Sequence, residues 1–123
     1  MKKTIFSNGY EDIYKGKRDV KAGWMLVLPD GFTMYGHSRD VETANKTARA
    51  TASQHSKIIV PTAVELAHPA MLRFWYKFAN VQNFGELKNW LAEQKQERLN
   101  FINDCKIEVV EVQGEATSVQ KER

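Results

Sequence analysis

A tight-turn signal running into a helix of small residues constrains this chain more than any other feature. Trp24-Met25-Leu26-Val27-Leu28 and Phe32-Thr33-Met34-Tyr35 are apolar, β-prone runs of strand length, and Pro29-Asp30-Gly31 lies between them. Proline presets φ for the first turn position, aspartate suits the next, and glycine tolerates positive φ where the second strand resumes. The pattern predicts a β-hairpin over residues 24–36, with Gly36 ending its second strand. Ser38 or Asp40 then offers a side-chain oxygen to cap a helix that starts near Val41. At about 100° per residue, Val41, Ala44, Ala48, Thr51, Ala52 and His55 share one side of that helix. That side is nearly all alanine, so the helix can lie close on a sheet. The neighbouring side carries Glu42, Asn45, Lys46, Arg49 and Ser53.

The charges of this half set its alternative readings. Residues 1–57 hold ten Lys or Arg against six Asp or Glu, and residues 58–123 hold eight against nine, so the net charge of +3 comes from the first half. That balance permits a nucleic-acid partner without demanding one. Arg39, Lys46, Arg49 and Lys57 are the residues such a partner would meet; the plainer reading of the same residues is a solvated helix face. Gly36-His37-Ser38-Arg39-Asp40, followed by Ala44, Ala48 and Ala52, locally resembles the second half of a double-stranded RNA-binding domain. The resemblance covers about a quarter of the chain. Asp40 stands where that pattern has a second basic residue, and no clear amphipathic helix precedes the hairpin. Shape-based RNA binding draws on several elements at once.

Before the hairpin, Lys3-Thr4-Ile5-Phe6 predicts an edge strand stopped by Ser7-Asn8-Gly9. Tyr10, Ile13 and Tyr14 have the spacing of one helical turn, and Lys15-Gly16-Lys17-Arg18 reads as an exposed loop that could meet phosphate. After the alanine helix, Ile58-Ile59-Val60 predicts a short buried strand, ended by Pro61. Thr62 and Glu65 have capping-box spacing for a brief helix, and Pro69 suits the first turn of the next. Over Pro69–Val81, Met71, Leu72, Phe74, Trp75, Tyr76, Phe78, Ala79 and Val81 fill an arc of about 220°. One core layer needs about half of that, so the helix must be covered on two sides. Asn83 and Glu86 mark the start of a helix reaching Asn103, whose apolar side is interrupted by Gln94 and Arg98. Ile107, Val109, Val110 and Val112 predict a last strand over Lys106–Gln113, and residues 114–123 a flexible tail.

Little in the chain favours chemistry. His37, His55, His68 and Cys105 are 18, 13 and 37 residues apart and match no common zinc spacing. His55, on the alanine side, reads as a core or core-edge histidine. His37, Ser38 and Asp40 are the residue types of a catalytic triad, but neighbours on a tight turn seldom point at one another. Cys105 follows Asp104, an acidic setting that disfavours thiolate. The glycines make neither nucleotide-binding fingerprint.

The sequence therefore predicts one α+β domain over residues 1–113, a small antiparallel sheet of the hairpin and C-terminal strand covered by helices. No stretch is long and apolar enough for a membrane span, no apolar run follows the basic start as a secretory signal would require, and a lone cysteine fits a reducing cytoplasm. The expected function is non-enzymatic docking, without cofactor or metal, on a protein partner or a second copy. Accessory proteins of phages and mobile elements that inhibit a host machine are of this kind. The expected docking residues are Arg73, Phe74, Trp75, Tyr76 and Arg98.

Overall fold

The Pro29-Asp30-Gly31 turn closes as its residues dictate. Gly31 takes φ +93°. Its N–H donates to the Leu28 carbonyl at 2.8 Å, the Leu28 N–H donates to the Phe32 carbonyl at 2.8 Å, and Asp30 Oδ1 accepts from the Phe32 N–H at 2.9 Å. The structure, a computed structural model, describes residues 2–113; the tail expected over 114–123 lies outside the described residues. In chain order the elements are β1 (Lys2–Ile5), β2 (Glu11–Tyr14), β3 (Ala22–Val27), β4 (Thr33–Ser38), α1 (Val41–His55), α2 (Ala63–Ala67), α3 (Pro69–Ala79), α4 (Phe84–Asp104) and β5 (Lys106–Glu111). The fold is α+β. Its hairpin is longer than the turn chemistry alone suggests, because Gly36 lies inside β4, paired with Trp24, and does not end the strand.

β3 is the middle strand of an antiparallel sheet ordered β4-β3-β5. All residues from Ala22 to Leu26 are buried. An uninterrupted apolar strand of this kind requires cover on both faces. On one face Ala22, Trp24, Leu26 and Leu28 meet Ala44, Ala48 and Ala52 of α1 and Ile102 of α4. The other face is covered by a two-stranded β1–β2 ribbon rather than left open, which enlarges the expected architecture from two layers to three. A Cβ at Gly23 would lie 2.5 Å from Thr4 Cγ2, so only glycine lets β1 approach this closely. Ser7 N–H and Oγ–H donate to the Glu108 carboxylate at 2.9 and 2.6 Å. Tyr10 stacks on Tyr35 with centroids 4.1 Å apart, and the Gln113 N–H donates to the Lys3 carbonyl at 2.7 Å.

Three local expectations are corrected here. Tyr10, Ile13 and Tyr14 do not make a helical turn: the Ser7-Asn8-Gly9 turn folds residues 11–14 back as β2 against β1. Alternation along residues 10–14 puts Tyr10 on Tyr35 and Tyr14 beside His37, while Ile13 points outward. Ile58-Ile59-Val60 is not a strand, because Lys57 at φ +61° turns the chain away from the sheet and the Ile58 carbonyl accepts from the Arg98 side chain instead. His55 and Val41 are exposed, since only the middle of α1, Ala44 to Ala52, presses on β3 and the end turns overhang. The cap is Asp40, whose Oδ1 accepts from the Thr43 N–H at 2.7 Å, and Ser38 belongs to β4.

Gly31→Val is expected to destabilise the protein by about 1 kcal/mol or more, because a β-branched residue is penalised at positive φ. Nothing lies within 4 Å of the added Cβ, so a lowered urea midpoint would report backbone strain alone. An unchanged midpoint would refute the turn assignment.

Candidate functional site

The most apolar segment of the chain is assembled by four helix-end devices. Thr62 Oγ1 accepts from the Glu65 N–H at 3.2 Å while Glu65 Oε1 accepts from the Thr62 N–H at 2.8 Å, the reciprocal box that starts α2. Pro69 opens α3, and Asn80 closes it in the left-handed region at φ 57°, short of the expected Val81. Asn83 Oδ1 then accepts from the Glu86 N–H at 2.9 Å to start α4. The link from Asn80 to Asn83 folds α3 back onto the first half of α4, so α3 packs on a helix and not on the sheet.

This packing divides the wide apolar arc. Trp75 is 4% exposed and sits against Trp90 of α4, with ring centroids 6.2 Å apart; Leu87 is buried nearby on α4. Phe78 meets Trp90 edge-on at 6.0 Å, and Phe74 meets Trp75 edge-on at 5.3 Å. Phe74 and Phe78 stack on each other at 6.0 Å, one helical turn apart, yet each is 52% exposed. The result is a rigid aromatic base of Trp75 and Trp90 carrying two half-open phenylalanine rings.

The expected docking residues are redistributed accordingly. Arg73 and Phe74 are exposed, Trp75 is buried beneath them, and Tyr76 is half-buried. Arg98 is half-buried, and its guanidinium donates to the Ile58 carbonyl at 3.0 Å, which spends the residue on holding the 58–60 segment. Its Nε, like Trp75 Nε1, is buried without a hydrogen-bond partner. Phe78, which is not among the expected docking residues, is as exposed as Phe74, and their i, i+4 relation is visible in the sequence.

The four expected nucleic-acid contacts are spread along the length of α1. Arg39 precedes α1 and Lys57 follows it, and 15 residues of helix between them amount to about 22 Å. Lys46 Nζ lies 3.3 Å from Glu42, Arg49 is exposed, and Arg39 Nε is 3.6 Å from Asp40. The Thr43 N–H, with smaller contributions from Arg39 and Lys46, holds the Asp40 carboxyl below the usual carboxylate range.

His37, Ser38 and Asp40 do not converge. His37 instead lies 3.5 Å from Asp12 Oδ2 through Nδ1 and 3.4 Å from Thr4 Oγ1 through Nε2. Thr4 is fully buried, and this trio clips the ribbon to the sheet. Among the described residues no three His, Cys, Asp or Glu side chains gather to hold a metal ion, and no helix is long and apolar enough to cross a membrane. Comparison with known protein families, with curated proteins and with solved structures finds no match.

Two measurements test this description. Trp75→Ala is expected to cost about 3–5 kcal/mol by urea denaturation and Phe74→Ser about 1 kcal/mol or less, because only the first empties a packed site. Equal costs would place Phe74 in the interior. At Cys105, burial first and then the Asp104 charge push the thiol up. Less thiolate is then present at any mildly alkaline pH, so alkylation by iodoacetamide should run slower than for a free cysteine. A faster rate would refute that environment.

Proposed function

We propose that this protein is a non-enzymatic binding protein that docks on another protein through the Phe74–Phe78 flank of α3 and acts by occupying its partner's surface. The observation that carries this reading is the half-exposed state of two stacked rings on a fixed aromatic base. Large aromatic side chains dominate protein interfaces, and rings already held by Trp75 and Trp90 lose little freedom on binding. Burying the remaining halves of both rings is worth about 1 kcal/mol each, so they serve as anchors within a larger contact.

The rim of the flank gives the partner its chemistry. The charged residues of α3 are Arg73 and Lys77, both exposed, and the helix has no acidic residue. The complementary surface is therefore apolar and edged by carboxylates, an arrangement in which rim charge raises the association rate and fixes register.

The test is affinity capture with wild-type protein and with Phe74→Asp/Phe78→Asp as bait, alongside Arg73→Glu/Lys77→Glu. A partner held by the wild type, lost by the first variant and weakened by the second is the expected result. Capture unaffected by either variant would overturn the reading. A dimer in light scattering that the first variant dissolves would overturn the heterologous partner and give the flank to a second copy.

A further inference from the structure

We propose that the protein has a second binding site, for the phosphodiester backbone of a nucleic acid, where the loop over residues 15–19 meets the start of α1. Arg18 and Arg39 are far apart in sequence, and the ribbon brings them together. The His37 ring is held by Asp12 and Thr4 and lies 5.3 Å from the Tyr14 ring, so the end of β2 is laid on the end of β4. Arg18, which follows β2, and Arg39, which follows β4, then flank a cleft of about 450 Å³ with Ser38, Thr43 and Thr47 in its walls. Two guanidinium forks with hydroxyl donors between them suit a phosphate better than lysine point charges would.

Three observations favour a chain of phosphates over a single anion. A second cleft, of about 400 Å³, is bordered by Lys15, Lys17 and the same Arg18, with Lys2 and Asp19 also in its wall, so the two concavities share one arginine. The loop is held in shape: the Arg18 N–H donates to the Tyr14 hydroxyl at 3.3 Å, and Gly16 lies against the Tyr14 ring. The Arg18 guanidinium holds the Tyr14 phenol below its usual range, as a cation at close quarters must. Finally, the loop's acid is already taken, because Lys2 Nζ lies 2.8 Å from Asp19 Oδ1. Among the described residues no carboxylate pairs with Lys15, Lys17 or Arg18 within 4.0 Å, whereas Arg39 pairs with Asp40, its Nε 3.6 Å from Oδ2, on a side chain that is 80% exposed. Charges borne at fixed intervals on a backbone can use two joined clefts at once.

Fluorescence anisotropy on the full chain tests this, with labelled single-stranded DNA, single-stranded RNA and both duplexes of about 20 nucleotides at about 50 mM salt and upward. At least one probe is expected to bind, with affinity falling as salt rises; the arm that binds tightest identifies the strand type. Arg18→Ala/Arg39→Ala should weaken it about tenfold or more and flatten the log–log salt slope by about one to two. Arg18→Lys/Arg39→Lys, which keeps the charge, should retain the slope, and circular dichroism of each variant checks folding. Arg49→Ala/Lys57→Ala and Phe74→Asp/Phe78→Asp should bind as the wild type does, which separates this site from diffuse charge and from the α3 flank. Absence of binding by every probe, an equal loss in Arg49→Ala/Lys57→Ala, or competition by polyglutamate as strong as by unlabelled nucleic acid would overturn the proposal.

Discussion

The close approach of α1 to β3 governs the arrangement of everything else. Ala44, Ala48 and Ala52 are fully buried against Ala22, Trp24 and Leu26. Small side chains on the helix let the backbone come near, so the bulk of the interface is supplied by the strand, chiefly by the Trp24 indole. A larger residue at any of the three alanines would lift the helix and open the layer beneath it. With α1 seated, the other face of β3 still presents Met25 and a side-chain-free Gly23, and that gap is what the ribbon fills.

Elements whose signals are local were legible in the chain, and those defined by remote partners were not. The Pro29-Asp30-Gly31 turn, the Thr62–Glu65 box, Pro69 at a helix start and the Asn83 cap are each set by chemistry within four residues, and each formed where expected. In the ribbon the first strand and its Ser7-Asn8-Gly9 stop are legible, but the second strand is not, because what Tyr10 and Tyr14 pack on, Tyr35 and His37, lies far away in the chain. Ile58-Ile59-Val60 has strand composition and no strand, since β-propensity expresses itself only where an edge is offered.

The aromatic helix shows the same division. Its excess of apolar surface could be counted from the wheel. Which side α4 would cover could not, because that depends on the Asn80–Asn83 link and on Trp90 reaching Trp75. Arg98 illustrates how a charged residue inside an apolar stripe is reconciled with its setting. It crosses to a backbone carbonyl, and so converts an interruption in one helix into a tether for an irregular segment.

The contact between Ser7 and Glu108 spans 101 positions in the chain. Together with the pairing of β3 to β5, it makes the order of synthesis matter. Until residues 106–111 have been made, β3 has one free edge and the ribbon lacks its Glu108 contact, so the nascent chain carries an apolar strand without its final neighbour. Folds that must join such remote segments form slowly, because closing the long loop comes before the contacts that reward it. An exposed strand edge in that interval is a template for pairing with other chains. Keeping the unfinished chain dilute or shielded would guard that edge until β5 arrives.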